Sequence, residues 1–198
     1  QKAVDAFIDE ARRVEALGLS LFNFHPGSHL RQIDEQGCMA LIAEGVKKAM
    51  TATQDVIFVL ETTAGQGTNI GYTFEQLAFM LELIGNEKRT GVCLDTCHIF
   101  AAGYDLVNEY PKVMDRFKAI IGRNMLKAIH LNDCKSALGQ KLDRHDSLGV
   151  GSLGWDVFRT IMQDPFFDDI PLILETIDDS LWAEEIKRLY SFCHNGAS

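Results

Sequence analysis

The sequence predicts an α/β fold: a parallel sheet wrapped by helices, organised as consecutive strand–helix units of a (β/α)₈ barrel. Five short runs rich in β-branched and apolar residues supply the strands, at residues 19–25, 56–61, 91–95, 127–131 and 172–175. They are continuously apolar rather than alternating, as strands covered on both faces are. Their last residues, His25, Glu61, Asp95, His130 and Glu175, are spaced by 36, 34, 35 and 45 residues, the length of one strand–helix unit.

The elements follow in order. Val4, Phe7, Ile8, Ala11, Val14 and Leu17 share one face of a helix that precedes the first strand. After that strand, Cys38, Leu41, Ile42, Gly45 and Ala49 line one face of a second helix. After the second strand, Phe74, Leu77, Ala78, Leu81 and Ile84 line a third, opened by a Thr73-x-x-Gln76 capping box. Trp182, Ile186, Leu189, Tyr190 and Cys193 form a last helix beyond the fifth strand. The order is one helix, then five strand–helix units, read as a single domain over 1–198. A complete barrel of this kind takes about 250 residues. The expectation is therefore that about the first three units are missing from this chain.

Composition narrows the class further. A chain of 198 residues that is 46% hydrophobic can bury one substantial core, which excludes a disordered or collagen-like protein. No apolar run approaches the ~20 residues of a spanning helix. Residues 1–13 are polar and charged where a signal peptide would be apolar, so the expected setting is intracellular, with no membrane partner. The odd count of five cysteines without a CxxC pair points to reduced core thiols. A net charge of −9 argues against a broad basic surface for nucleic acid, although carboxylates gathered around cations would account for part of it.

Chemistry enters at the strand ends. All five carry a residue able to bind a metal, at the face where barrel active sites sit. Two additions strengthen the pattern: His98 lies three residues beyond Asp95, and Asp143-x-His145 lies in the insertion that stretches the last spacing. Of the remaining histidines, His29 falls beside the constellation and His194 reads as solvated surface. Mixed imidazole and carboxylate donors without thiolate suit zinc, with manganese or iron(II) as alternatives, and are too rich in nitrogen for calcium or magnesium. Eight candidate ligands exceed what one tetrahedral ion uses, so a cluster of two or three ions is expected, and such clusters commonly serve phosphoester chemistry.

Several other residues read more plainly. Gly65, Gly67 and Gly71 form a glycine-rich loop whose spacing fits neither the dinucleotide fingerprint nor a P-loop, so it is expected to be a tight loop beside the cluster. Lys135 and Arg144 flank the insertion, where they could hold phosphates without reading sequence. Cys93, Cys97 and Cys134 are expected to pack rather than ligate, and Trp155 and Trp182 to cover helices and core. Asp133 either supports His130 or starts the following loop.

The segments FHPGSHL (24–30), LETTAGQGTNIG (60–71), GVCLDTCHIFAAGYD (91–105), HLNDCKSALG (130–139), DRHDSLGVGSLG (143–154) and LILETI (172–177) resemble, in order, the successive signatures of the endonuclease IV family. The resemblance implies a xylose-isomerase-like TIM barrel and a DNA-repair enzyme that cuts double-stranded DNA on the 5′ side of an abasic site. The products it implies are a 3′-hydroxyl and a 5′-deoxyribose phosphate. It implies up to three Zn²⁺ per full-length chain. His25 would hold one ion, bridged by Glu61 to a second that also takes Asp95, His130 and Glu175, and His98, Asp143 and His145 would hold a third. Glu61 is the implied catalytic group, orienting the attacking hydroxide or accepting its proton. A full-length monomer, cytoplasmic if bacterial, is the implied setting.

The same resemblance marks departures. Thr62 stands where the family commonly has Asn, Asp146 where it often has a second His, and Val150 where it often has Glu; none is an implied ligand. A further histidine ligand to the first ion lies on an earlier strand outside this sequence, which leaves that site with His25 and Glu61. Two rival readings stand beside the nuclease. One is a single-metal sugar isomerase or epimerase using only Glu61, Asp95, His130 and Glu175; the other is an inactive metal-binding remnant.

Overall fold

The computed structural model describes residues 2–193, so His194 lies outside the described residues. Among these, seven strands and seven α-helices follow in chain order. Helix α1 (Lys2–Ala16) leads into β1 (Leu21–Phe24), α2 (Glu35–Thr51), β2 (Ile57–Glu61) and α3 (Phe74–Ile84). Next come β3 (Thr90–Asp95), α4 (Thr96–Ala102), α5 (Tyr110–Ile120) and β4 (Leu126–Leu131). The chain ends with a two-residue hairpin of β5 (Asp133–Cys134) and β6 (His145–Asp146), then α6 (Gly154–Gln163), β7 (Leu172–Leu174) and α7 (Trp182–Cys193).

Five strands form one parallel sheet in the order β1-β2-β3-β4-β7, which matches the five units expected. The strands begin or end within two residues of the expected positions. The largest difference is at Leu19, which is 56% exposed and precedes β1. Strand residues alternate between two buried environments. Phe58, Leu60, Val92, Leu94, Ile129 and Leu131 face the helices and join the main core. Val59, Cys93 and Ala128 face the other way and form a smaller cluster with Leu21 and Ile57. This second cluster explains why the strands lack a polar alternation. With a period of two, Asn23, Glu61, Asp95 and His130 follow on that same inner face at the strand ends.

The helices dock as their patterns require, with three corrections, the first being Leu17, which lies just beyond α1 and is exposed rather than on its buried face. Cys38, Gly45 and Ala49 of α2 are buried, but Leu41 is 64% exposed because the helix rests on the core through Met39, Ala43 and Val46 instead. On α7 only Leu189 of the five expected face residues is buried, while Trp182, Ile186, Tyr190 and Cys193 are exposed. Glu185 and Phe192 take the inward positions instead.

Capping fixes where helices start. The Thr73 hydroxyl accepts a bond from the Gln76 amide, as the capping box predicts. The reciprocal half differs: Gln76 Oε1 accepts from the amides of Gly71 and Tyr72, so it closes the glycine-rich loop rather than returning to Thr73. At the opposite end of the strands, Arg89 donates to the carbonyls of Met50, Thr53 and Val56 and to the Thr53 hydroxyl, pinning the end of α2 and its connection to β2.

Candidate metal centre

Each strand of the sheet delivers one polar residue to the C-terminal edge, and Glu61 is their hub. Its Oε1 lies 3.1 Å from His130 Nδ1, 3.3 Å from His98 Nδ1 and 3.5 Å from His25 Nε2. Its Oε2 accepts a 2.6 Å bond from Asn23 Nδ2, which fixes the plane of the carboxylate. His130 Nδ1 also approaches Glu175 Oε2 at 3.0 Å and Asp95 Oδ2 at 3.8 Å.

A second set gathers over α4. Asp95 caps this helix through the His98 amide at 2.8 Å, so the turn that ends β3 aims His98 back into the site. His98 Nδ1 sits 2.8 Å from the Thr62 carbonyl; with Nδ1 donating there, Nε2 is the nitrogen that a cation could take once its proton is displaced. That Nε2 lies 3.2 Å from Asp143 Oδ2 and 3.4 Å from His145 Nε2. Asp143 and His145 arrive on the segment leading into β6. Its position is fixed by the β5–β6 pairing of Cys134 with His145 and by Gln66, which accepts from the Asp143 amide at 2.9 Å.

The structure thus brings together all eight residues singled out for metal binding. Four groups of potential ligand atoms lie within 4.8 Å of one another: Glu61–Asp95–His130–Glu175, His98–Asp143–His145, His25–Glu61–His98 and Asp95–Cys97–His145. The first two coincide with the sets implied for the second and third ions. In the third group His98 joins His25 and Glu61, which the sequence did not suggest.

Electrostatics follows from this crowding. Burial works against ionisation of Glu61, but His130, His25 and His98 outweigh it and hold the carboxyl well below the usual range. For His98 burial again opposes the charge, and Asp95, Asp143 and Glu61 carry its pKa up to about 11. His130 is raised against its burial by Cys93, Glu175 and Glu61, and the Glu61 hydrogen bond raises His25. Hydrogen bonding to His98 lowers Asp143, and hydrogen bonding to His130 lowers Glu175. Clustered carboxylates with imidazoles in these numbers are what a divalent cation site requires. Two imidazole Nε2 atoms facing each other at 3.4 Å fit a shared cation, because only one of them could carry a proton along that line.

Supporting residues emerged that the sequence did not single out. Asn132, fully buried, donates from Nδ2 to Asp95 Oδ2 at 2.7 Å and accepts at Oδ1 from the Glu175 amide at 3.1 Å, so one side chain orients the Asp95 carboxylate and anchors the main chain at Glu175. Asn23 likewise orients the Glu61 carboxylate; its position two residues before His25, on the same face of a strand, was the available signal. Asp133 does not touch His130. It accepts from the amides of Cys134, Gly149, Leu153 and Gly154, and so anchors the loop behind the hairpin. That loop wraps so tightly that a Cβ on Gly151 would lie 2.5 Å from Asp133 Oδ1.

The remaining candidates are placed as follows. Lys135 is half exposed, with Nζ 3.9 Å from Asp146 Oδ1, and Arg144 is exposed, donating to the Asp143 carbonyl. The glycine-rich loop lies beside the cluster: Gln66 reaches Asp143 from it, and Gly65, Gly67 and Gly71 take φ of 73°, 67° and 94°. His29 Nδ1 accepts from the Arg31 amide at 3.3 Å and belongs to none of the four groups. Cys93, Cys97 and Cys134 are buried, and Cys193 is exposed rather than part of the core. Trp155 packs against Phe158 and Phe192, and Trp182 donates to the Thr176 carbonyl while 42% exposed.

Known proteins place this architecture. A family model described as a xylose isomerase-like TIM barrel matches residues 1–192. The chain is similar to a protein named "Probable endonuclease 4" from Campylobacter curvus, 54% identical over 96% of this chain and 68% of that protein. It is similar to one of the same name from Phocaeicola vulgatus, 52% identical over 97% of this chain and 69% of that protein. It also resembles the crystal structure of endonuclease IV from Thermus thermophilus, with a TM-score of 0.82 and 30% identity over 96% of this chain and 68% of that one. The chain belongs to the endonuclease IV family. It spans a little over two thirds of the length of these relatives. A D-tagatose 3-epimerase-like protein matches with a TM-score of 0.71 at 17% identity, a likeness of fold alone.

Against the endonuclease IV pattern, the Thr62 departure is structurally compensated. Its hydroxyl accepts from the Asp95 amide at 2.9 Å while its carbonyl faces His98, so it secures two of the candidate ligands. Asp146 turns onto the Ser147 amide, and Val150 is 69% exposed.

Proposed function

We propose that this chain carries most of the active site of a DNA-repair endonuclease that hydrolyses the phosphodiester 5′ to an abasic site through a zinc cluster. The supporting observation is the grouping of ligand atoms around Glu61. A one-ion sugar isomerase needs only Glu61, Asp95, His130 and Glu175, and has no use for the adjoining His98–Asp143–His145 group. Kinship with proteins named endonuclease IV supplies the DNA backbone as substrate.

In this reading Glu61, Asp95, His130 and Glu175 hold one ion, and His98, Asp143 and His145 another. His25 and Glu61 form the open part of a third site. When bound, zinc would bring the pKa of a coordinated water toward neutrality and offset charge developing on the phosphate. The protein's own part is orientation. Glu61, with Oε2 tied to Asn23 and Oε1 facing three imidazoles, is held so that it can orient the attacking water or accept its proton. Lys135 and Arg144 would grip flanking phosphates and position the strand; they carry no sequence information. The full-length protein is proposed to act as a monomer on double-stranded DNA.

The test is metal content per chain together with cleavage of a duplex holding one synthetic abasic site, with and without chelator. Two or more zinc ions and chelator-sensitive 5′ incision support the proposal. One ion without incision, on this chain and on a chain of the relatives' full length, overturns it.

A further inference from the structure

The cluster contains one donor that the nuclease reading leaves idle. Cys97 is fully buried in the first turn of α4, two residues beyond Asp95, whose capping bond to His98 fixes that turn. A ligand atom from each of Asp95, Cys97 and His145 falls within 4.8 Å of the others. The Cys97 Sγ is also 3.6 Å from the Arg144 carbonyl, so the strand carrying His145 lies directly over the thiol. Strand pairing of His145 with Cys134 holds it there. This group therefore rests on a helix cap and a strand register, not on mobile side chains.

Its donor set differs in kind from its neighbours. The adjoining groups offer only imidazole and carboxylate, which suit zinc and harder ions. Sulfur, imidazole and carboxylate together favour a softer, thiophilic cation. The groups also overlap: Asp95 belongs to the set with Glu61, His130 and Glu175, and His145 to the set with His98 and Asp143. An ion bound to sulfur here takes a ligand from each of the other two.

We propose that Asp95, Cys97 and His145 form a site for a thiophilic divalent cation, with cadmium as the probe, whose occupation excludes full loading of the neighbouring imidazole–carboxylate groups. Binding exchanges one proton for one bond: the Cys97 S–H bond breaks, the metal–sulfur bond forms, the proton leaves to solvent, and no electrons are transferred. Entry runs through the part-exposed Asp143 and His145 rather than through the core. The cadmium site does not require the nuclease reading. The exclusion rests on the ligand groups of that reading, and cleavage plays no part in the test.

Metal-free protein carrying Cys193→Ser, which removes the exposed thiol, is titrated with cadmium while the ultraviolet thiolate-to-cadmium charge-transfer band is followed. The band is expected to saturate at one equivalent, to vanish in Cys97→Ser, and to need at least about tenfold more cadmium after preloading with zinc. Cys97→Ser should bind as much zinc as the parent. X-ray absorption of the cadmium-loaded parent, which requires no buried substitution, should show one sulfur and imidazole scattering. A band that survives Cys97→Ser, a cadmium shell without sulfur or without imidazole, or indifference to zinc overturns the proposal.

Discussion

Replacing Asn132 by Ala tests whether the metal groups are oriented by the network behind them. Asn132 donates to Asp95 at 2.7 Å and accepts from the Glu175 amide at 3.1 Å, from a fully buried position. Loss of the bond to an ionised carboxylate costs about 1.5–3 kcal/mol. The Glu175 amide lies nearer solvent, so its loss falls at the lower end of the roughly 1–3 kcal/mol for an unmet donor. Metal-free Asn132→Ala should therefore be less stable by about 2–4 kcal/mol in urea denaturation. Groups that orient metal ligands commonly contribute about 10–100-fold in affinity. Because the side chain holds one carboxylate directly and the Glu175 main chain only through its amide, the expected loss is about 10-fold, or about 1.4 kcal/mol. Competition with a chromogenic chelator measures it. A folded Asn132→Ala protein whose zinc affinity moves by less than about threefold would show that Asn132 does not orient the Asp95 carboxylate for metal binding.

Other outcomes follow from the same geometry. His98 and His130 have raised pKa values, so they hold protons in the metal-free fold at neutral pH. The stability they contribute is complete below their usual 6.5 and, for His98, is lost as pH climbs toward about 11. Zinc must displace those protons, so its affinity should rise about tenfold per pH unit for each, with proton release measurable in weak buffer; a flat profile would count against ligation by these histidines. Asp133→Asn keeps the shape but turns an acceptor toward Gly149 and Gly154 into a donor. It should lower stability by about 2–4 kcal/mol and weaken the His98–Asp143–His145 group selectively, and unaltered thermal melting would contradict this. Arg89→Lys keeps the charge but cannot reach four acceptors at the end of α2 and in its connection to β2, and should cost about 2–3 kcal/mol in urea; a loss below about 0.5 kcal/mol would show the fork to be dispensable.

The fold was legible because its strands are short apolar runs at near-constant spacing, and their ends could be read to within two residues. Five of the eight candidate ligands were legible because each ends such a run, and His98, Asp143 and His145 because they lie just beyond one or in the insertion that lengthens the last spacing. Less visible was everything that depends on pairing distant segments. Asn132 reads as a turn-forming residue until β3 and β7 flank it, and Asp133 reads as a loop start until Gly149–Gly154 folds around it. Helix α4 follows β3 without a connecting loop, so no turn residues announced it. Leu41 and Tyr190 fit their helical patterns yet face outward, since periodicity names a face but not what covers it.

The distribution of ligands along the sheet has a mechanical consequence. Among the described residues, β1 and β7 each have a single hydrogen-bonded neighbour, and each is followed at once by a candidate ligand, His25 or Glu175. Any ion they help hold resists fraying of the margins, because opening either edge would first have to release it. At a free concentration a hundred times the dissociation constant, that restraint is worth about 2.7 kcal/mol. Amide protons of the outer strands should then exchange with solvent markedly more slowly in the metal-loaded protein, while those of β3, already paired on both sides, change least.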